Sequence, residues 1–262
     1  AAEAWLGLGI LALGLGWYVV TVLIHLSHGA SGSDPYCYLQ MAEDLAQRGT
    51  ALHEFPLVGL AREANIPIWP AVHVGYSPPI SGTLAPTVWP IGWPLILVPF
   101  YWLGGEAAIL WAAPLGALGD TLLTWRLARA LWPDGKDAEA RAKHLHHETN
   151  SDRRPLQQML CPYAAGLAAL LTLTSYEGLL RSLVPMADAA AQMLTVLTLL
   201  CLMRARRRGV VGWSALAGAA LGLTYFVRHA QLPLGLAALS VLLGAPWPWG
   251  RRLGHLGALA LA

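Results

Sequence analysis

Trp5 to Leu26 is an almost unbroken apolar run with about the twenty residues that a helix needs to cross a bilayer. A chain that carries one such run and then several more cannot bury them all in an ordinary soluble core. Composition agrees, with 56% hydrophobic and 12% charged residues. The expected fold is all-α, a polytopic transmembrane helical bundle forming a single transmembrane domain over 1–262. The first run is too long, and too soon followed by others, to be a cleaved signal.

Five further apolar runs follow, at about 107–131, 159–176, 187–203, 213–227 and 230–243, and another begins at 253, so the chain reads as the N-terminal portion of a longer protein. A long segment, 28–106, separates the first two, and the prolines of PIWPAVHVGYSPPISGTLAPTVWP exclude a continuous helix there. Inside it, Gly92 to Leu103 is apolar but short and carries Pro94 and Pro99, so it is expected to be interfacial or re-entrant, interrupted at the prolines. Basic residues test this assignment. If Gly92 to Leu103 does not span, the loops after spans two, four and six share one side and hold every Lys and Arg except Arg48, Arg62, Arg181 and Arg228. By the positive-inside rule that side, with the charged loop 133–155 and the N-terminus, is cytoplasmic. Segment 28–106 is then an outer loop carrying interfacial helices.

That loop opens with SDPYCYLQMAEDLAQRG, Ser33 to Gly49. Pro35 suits the first helical position, which puts Asp34 at the N-cap, and the helix is too polar to span. Asp34, Glu177, Arg181, Asp188, Arg228 and His229 all fall at outer span ends on one face, where ionisable groups are costly and point to function. Glu177 and Arg181, four residues apart, equally suit a plain helical ion pair. Asp120, inside the second span, is read as a structural hydrogen-bonding group. The His144, His146 and His147 triplet has no Cys or paired acid to frame a metal. Cys37, Cys161 and Cys201 lie in three segments with neither disulfide nor zinc spacing.

Three stretches together resemble the GT-C superfamily of polytopic membrane glycosyltransferases, which take sugar from a polyprenyl-phosphate carrier on the outer face: protein mannosyltransferases, aminoarabinose transferases and oligosaccharyltransferases. SDPYCYLQMAEDLAQRG is similar to the first-loop signature of an Asp, Tyr residues and a helix, and PTVWPIGWPLILVPFYWLGG to the segment closing that loop. The third stretch is RSLVPMADAAAQMLTVLTLLCLMRARRR with GWSALAGAALGLTYFVRHA, similar to the acidic span start, basic cytoplasmic end and small-residue helix ending in Arg. The resemblance implies that Asp34 is the catalytic residue, supported by Tyr36, Tyr38, Glu177 and Asp188. Asp34-Pro35-Tyr36 is closest to the oligosaccharyltransferase pattern, in which the Asp helps bind a metal, so a divalent ion at Asp34 is the alternative to no cofactor. His229 stands where many members have Pro.

The chemistry suits the residues on their own terms. Transfer from a lipid phosphate needs a carboxylate to take the acceptor's proton and cations to stabilise the departing phosphate. Arg228 and Arg181, with His229, are the expected phosphate-binding groups, since the outer face has no Lys and Arg grips phosphate through two bonds at once. Trp69, Trp89 and Trp93 are the expected sugar platforms. Expected partners are a polyprenyl-phosphate-linked sugar, the bilayer, an unidentified acceptor and other membrane subunits, with no nucleic acid. The competing reading is a non-catalytic scaffold subunit of a larger membrane complex. The orientation has a direct check: cysteines introduced at Ser77 and Ser182 should react with an impermeant thiol reagent on intact cells and one at Ser151 should not, and outside labelling of Ser151 would overturn it.

Overall fold

Glycine positions and helix ends, more than strands, set this architecture. The computed structural model describes residues 2–131 and 154–262, with side chains over 5–131 and 163–262. His144, His146, His147 and most of the basic loop lie outside the described residues. The described chain is mostly helical, with eleven α-helices and 4% strand. Helix α1 (Ala2–His25) is apolar all round, and Leu13, Leu23 and Ile24 stay exposed on it. Next come α2 (Ser33–Arg48), strand β1 (Leu52–Glu54), α3 (Pro56–Glu63), a turn at Trp69–Ala71 and strand β2 (Leu84–Pro86), which pairs antiparallel to β1 with His53 opposite Ala85. Then α4 (Gly92–Ile109), α5 (Ala112–Leu131), α6 (Arg154–Thr174), the short α7 (Tyr176–Ser182), α8 (Asp188–Arg208), α9 (Val211–Val227), α10 (Leu234–Leu243) and α11 (Trp249–Leu261) follow.

Among the described residues α1 and α8 are each long and apolar enough to cross a membrane, and α4 with α5 makes a third if they are one broken span. Those two are bent by 102°. The prolines do not interrupt Gly92 to Leu103 as the sequence led us to expect. Pro94 lies in the first turn, where its N–H would have no partner, and Pro99 costs one internal bond. The break comes later, at Gly104 and Gly105, so the regular helix before it is about 18 Å long, short of a ~30 Å hydrocarbon core. The apolar runs at 213–227 and 230–243 become α9 and α10, about 25 and 15 Å long, with the His229–Gln231 turn before α10.

The core follows from the apolar periodicity. Helix α1 packs on α6, α5 lies between α6 and α8, and α9 packs between α8 and α11. Helix α4 packs mainly on α2, and the two dock on the start of α8 through Tyr38, Leu39, Ala42, Trp93, Leu97, Ala187, Ala190 and Val227. A second small core, Cys37, Phe55, Val58, Val72, Tyr76 and Ala85, fastens the Pro-rich segment onto α2.

The two ends of the bundle differ in charge. At one end the C-terminus of α1 meets the α7–α8 connection, with Ser27 N–H donating to the Leu183 carbonyl at 3.0 Å. At the other, about 30 Å away along α8, Arg207 bonds the Ala130 carbonyl and Arg251 the Gly209 carbonyl. Arg204, Arg251 and Arg252 there lie over Trp213, Trp247 and Trp249. Buried His255 links α11 to α9 through Ser214, 2.7 Å away. Ser182, in contrast, is buried at the first end with its hydroxyl on Leu179, so a cysteine there is shielded and the labelling test falls to Ser77.

Gly92 is the closest backbone approach near that first end: a Cβ on it would come within 2.4 Å of the Phe226 carbonyl oxygen in the last turn of α9. Helix propensity alone favours Ala by about 0.5–1 kcal/mol, but overpacking against backbone costs about 1–3 kcal/mol. Gly92→Ala should therefore lower the thermal midpoint, whereas Gly222→Ala, which meets nothing within 4 Å, should leave it equal or higher. Equal melting of both variants would refute the contact.

Candidate functional site

The helix that carries Asp34 starts two residues earlier than its Asp-Pro pair suggests. Gly32, at φ 89° and ψ 168°, adopts a conformation nearly reserved for glycine and turns the chain into α2 at Ser33. Asp34 is therefore the second helical residue, not the N-cap, and no side-chain cap bond forms. Its half-buried carboxylate accepts from the Ser33 hydroxyl at 2.8 Å. The helix N-terminus and its dipole still favour negative charge there.

Tyr38, one turn along, is buried and lies within reach of two charges. Burial pushes its phenol up to about 12, the Asp34 carboxylate pushes the same way, and the Arg228 guanidinium acts against both. Tyr38 thus feels the charges of both the residue expected to be catalytic and the arginine expected to hold phosphate. Tyr36 points into the Pro-rich segment, its ring 4.2 Å from that of His73.

Glu177, Arg181, Asp188 and Arg228 come together in one cluster. Ser175 caps α7 and sets its direction, so that Arg181 Nε donates to Glu177 at 3.1 Å and its NH1 donates to Asp188 Oδ1 at 2.9 Å. Arg228, released from α9 into an extended backbone (φ −152°, ψ 108°), pairs with the same Asp188 oxygen. The i,i+4 pairing of Glu177 and Arg181 was legible from spacing, but Arg228 also has an acid, forty residues away in sequence. Glu177 is 73% exposed, so its charge is largely screened by water, and the part-buried centre of two guanidiniums and one carboxylate keeps a positive excess. His229 is exposed, with its ring 4.9 Å from Tyr225.

Two cavities flank this cluster. A polar one of about 440 Å³ is lined by Tyr18, Asp120, Thr172, Glu177, Arg181, Asp188 and Gln231, among others. An apolar cleft of about 340 Å³ is lined by Met41, Leu52, Trp89, Ile91, Phe226 and His229, among others. Arg228 lies in sequence between Phe226 and His229 of the cleft wall, three residues before Gln231 of the polar cavity. Asp34 lines neither.

Some expectations need correction. Trp93 is 1% exposed and donates its indole N–H to the Pro185 carbonyl at 3.1 Å, so it is a strut between α4 and the start of α8, not a sugar platform. Trp89 lines the apolar cleft, and Trp69 alone of the three is open to solvent. Asp120 was expected to bond a neighbouring helix, yet its Oδ1 is buried without a partner among the described residues. Asp44 is 3% exposed and pairs with Arg48 and, at 2.9 Å, with His53 of β1. No sequence signal linked His53 to α2.

The surroundings of Asp34 offer one carboxylate, with the Arg228 guanidinium also felt at Tyr38, and among the described residues no three His, Cys, Asp or Glu side chains come together. Comparisons with known protein families, characterised sequences and solved structures returned no match.

Cys37 gives a check on how firmly the Pro-rich segment covers α2. Its thiol is fully buried, 3.7 Å from the Val74 carbonyl, and burial with the Asp34 charge pushes it up to about 11. The folded thiol holds its proton to higher pH than the unfolded one. Its contribution to stability is thus complete below about pH 8.5 and is lost as pH rises toward 11. With Cys161 and Cys201 replaced by serine, maleimide labelling followed by mass spectrometry should find Cys37 unmodified at pH 8 in the folded protein and fully modified in detergent-denatured protein. Ready labelling when folded would contradict the docking.

Proposed function

We propose that this chain is the membrane domain of a glycosyltransferase of the GT-C type, moving a sugar from a polyprenyl-phosphate carrier to an acceptor at the end of the bundle that bears Asp34. The observation that carries the reading is the convergence at that end of a carboxylate spared from helix capping and two arginines sharing Asp188, with the remaining described arginine cluster about 30 Å away. That separation matches a bilayer core, and the exposed apolar side chains of α1 are suited to lipid. The positive-inside rule then makes the arginine-rich end cytoplasmic and the Asp34 end the outer face.

In the proposed reaction the acceptor's nucleophilic atom attacks the anomeric carbon of the sugar. The bond from that carbon to the phosphate oxygen breaks, and its electron pair leaves with the polyprenyl phosphate. Asp34 takes the acceptor's proton. Arg228 and Arg181 stabilise the phosphate, exchanging part of their pairing with Asp188 for the incoming anion, and His229 stands at the rim of the apolar cleft suited to the first units of the polyprenyl tail. Tyr38 keeps its proton at neutral pH and can donate to an oxygen placed between Asp34 and Arg228.

The same pairs support the second reading, a non-catalytic membrane subunit, because both arginines are already taken up by an acid. One set of variants separates the two. Asp34 caps nothing, so Asp34→Asn should fold as wild type while transfer from sugar-loaded polyprenyl phosphate falls by at least about 10²-fold, the usual contribution of a general base. Arg228→Ala should raise the donor KM more than Arg228→Lys. Near-normal transfer by Asp34→Asn would reject the catalytic role, and a wild type without transfer from any sugar-loaded donor would favour the subunit reading.

A further inference from the structure

The polar cavity holds an excess of hydrogen-bond acceptors that the fold leaves unsatisfied. Asp120 is 3% exposed, and its Oδ1 has no partner among the described residues. Asp188 Oδ2, on the same cavity, is likewise without one. Thr121 and Thr172 spend their hydroxyl protons on carbonyls of their own helices, at 2.9 Å in both cases, which leaves their oxygens as acceptors. Gly116 abuts Ala189 and Ala190 while Gly119 abuts Met193, so Asp120 lies about a turn and a half deeper than Asp188, roughly 8 Å along the axis. An unsatisfied buried acceptor is costly, more so when charged, and an apolar residue at 120 would avoid that cost.

We propose that this cavity is the recognition site for the transferred sugar, whose hydroxyls donate to Asp120 Oδ1 at the depth of the cavity and to Asp188 Oδ2 near the arginines, with Gln231 as a further contact. The assignment rests on the transferase reading for the identity of the ligand. Its chemistry follows from the walls: unpartnered carboxylate oxygens beside the Arg181 guanidinium and the amides of Gln192 and Gln231 take a molecule whose several hydroxyls both donate and accept, and a volume of about 440 Å³ accommodates a monosaccharide. Asp120 does not touch the reacting atoms in this arrangement. It is a specificity residue.

The test uses the full chain in lipid nanodiscs, with Cys37, Cys161 and Cys201 replaced by alanine and Thr172→Cys as a reporter in the cavity wall. Thiol modification is timed in the presence of polyprenyl phosphate, either sugar-free or carrying glucose, mannose, galactose or arabinose, and binding of each lipid is measured separately. At least one sugar-bearing lipid should slow modification while the sugar-free lipid does not. Asp120→Leu should remove that protection, weakening the sugar-bearing lipid by about ten- to a hundredfold with sugar-free binding unchanged, and its melting temperature should equal or exceed that of the parent. Equal protection by the sugar-free lipid would make the cavity a site for chain or phosphate and overturn the inference. Protection by sodium chloride but not by choline chloride would make it a cation site. A fall in melting temperature with protection intact would make Asp120 structural. Binding of sugar-bearing lipids without protection would refute the inference and leave the transferase reading standing, whereas no binding of any lipid would refute both.

Discussion

The shared carboxylate of Asp188 is the interaction on which the candidate site depends. It joins α7 through Arg181, the start of α8 through its own backbone and the end of α9 through Arg228. Removing the acid would leave two guanidiniums facing each other in a part-buried space, and such uncompensated charge is far more costly than an exposed ion pair is worth. Asp188 also sits in the first turn of α8, where the helix dipole favours a negative charge. The dipole and the two cations therefore meet at one carboxylate, and the acid in return fixes the direction of both arginine side chains.

Packing around that acid explains why α2 and α4 lie where they do. Small residues at the start of α8, Ala187, Ala189, Ala190 and Ala191, allow close approach, and Trp93 spans the remaining gap to bond Pro185. Gly92 lets the first turn of α4 rest on the Phe226 carbonyl, two residues before Arg228. The same docking brings Tyr38 beside Arg228. A polar helix that could not cross a membrane is thereby held against the ends of helices that are far more apolar.

How much of this was legible in the sequence depended on range. Features set within one helix were readable: the apolar runs, the Glu177–Arg181 pair at four-residue spacing, and the arginines gathered at the end of α8. Features set by a neighbour two residues away were half readable, since Asp34-Pro35 suggested a cap until Gly32 shifted the helix start. The prolines of α4 misled because their effect depends on position within a turn, and the break came from Gly104 and Gly105 instead. Contacts between distant segments were not readable at all. Asp188 with Arg228, Asp44 with His53 and Gly92 with Phe226 are settled by which helices pack together, and no local pattern encodes that. The Tyr38 phenol, which feels the charges of both Asp34 and Arg228, belongs to the same class of long-range association.

The two cavities differ in polarity, and the short run from 226 to 231 contributes to both. Phe226 and His229, on either side of Arg228 in sequence, line the apolar cleft and Gln231 lines the polar cavity, so a few residues are sorted between two walls. The extended backbone at Arg228 makes that sorting possible, because residues 226, 229 and 231 would otherwise follow helical spacing on a continuing α9. Ending the helix at Val227 therefore does two things at once: it frees the arginine to reach Asp188, and it separates the walls of the two spaces beside it.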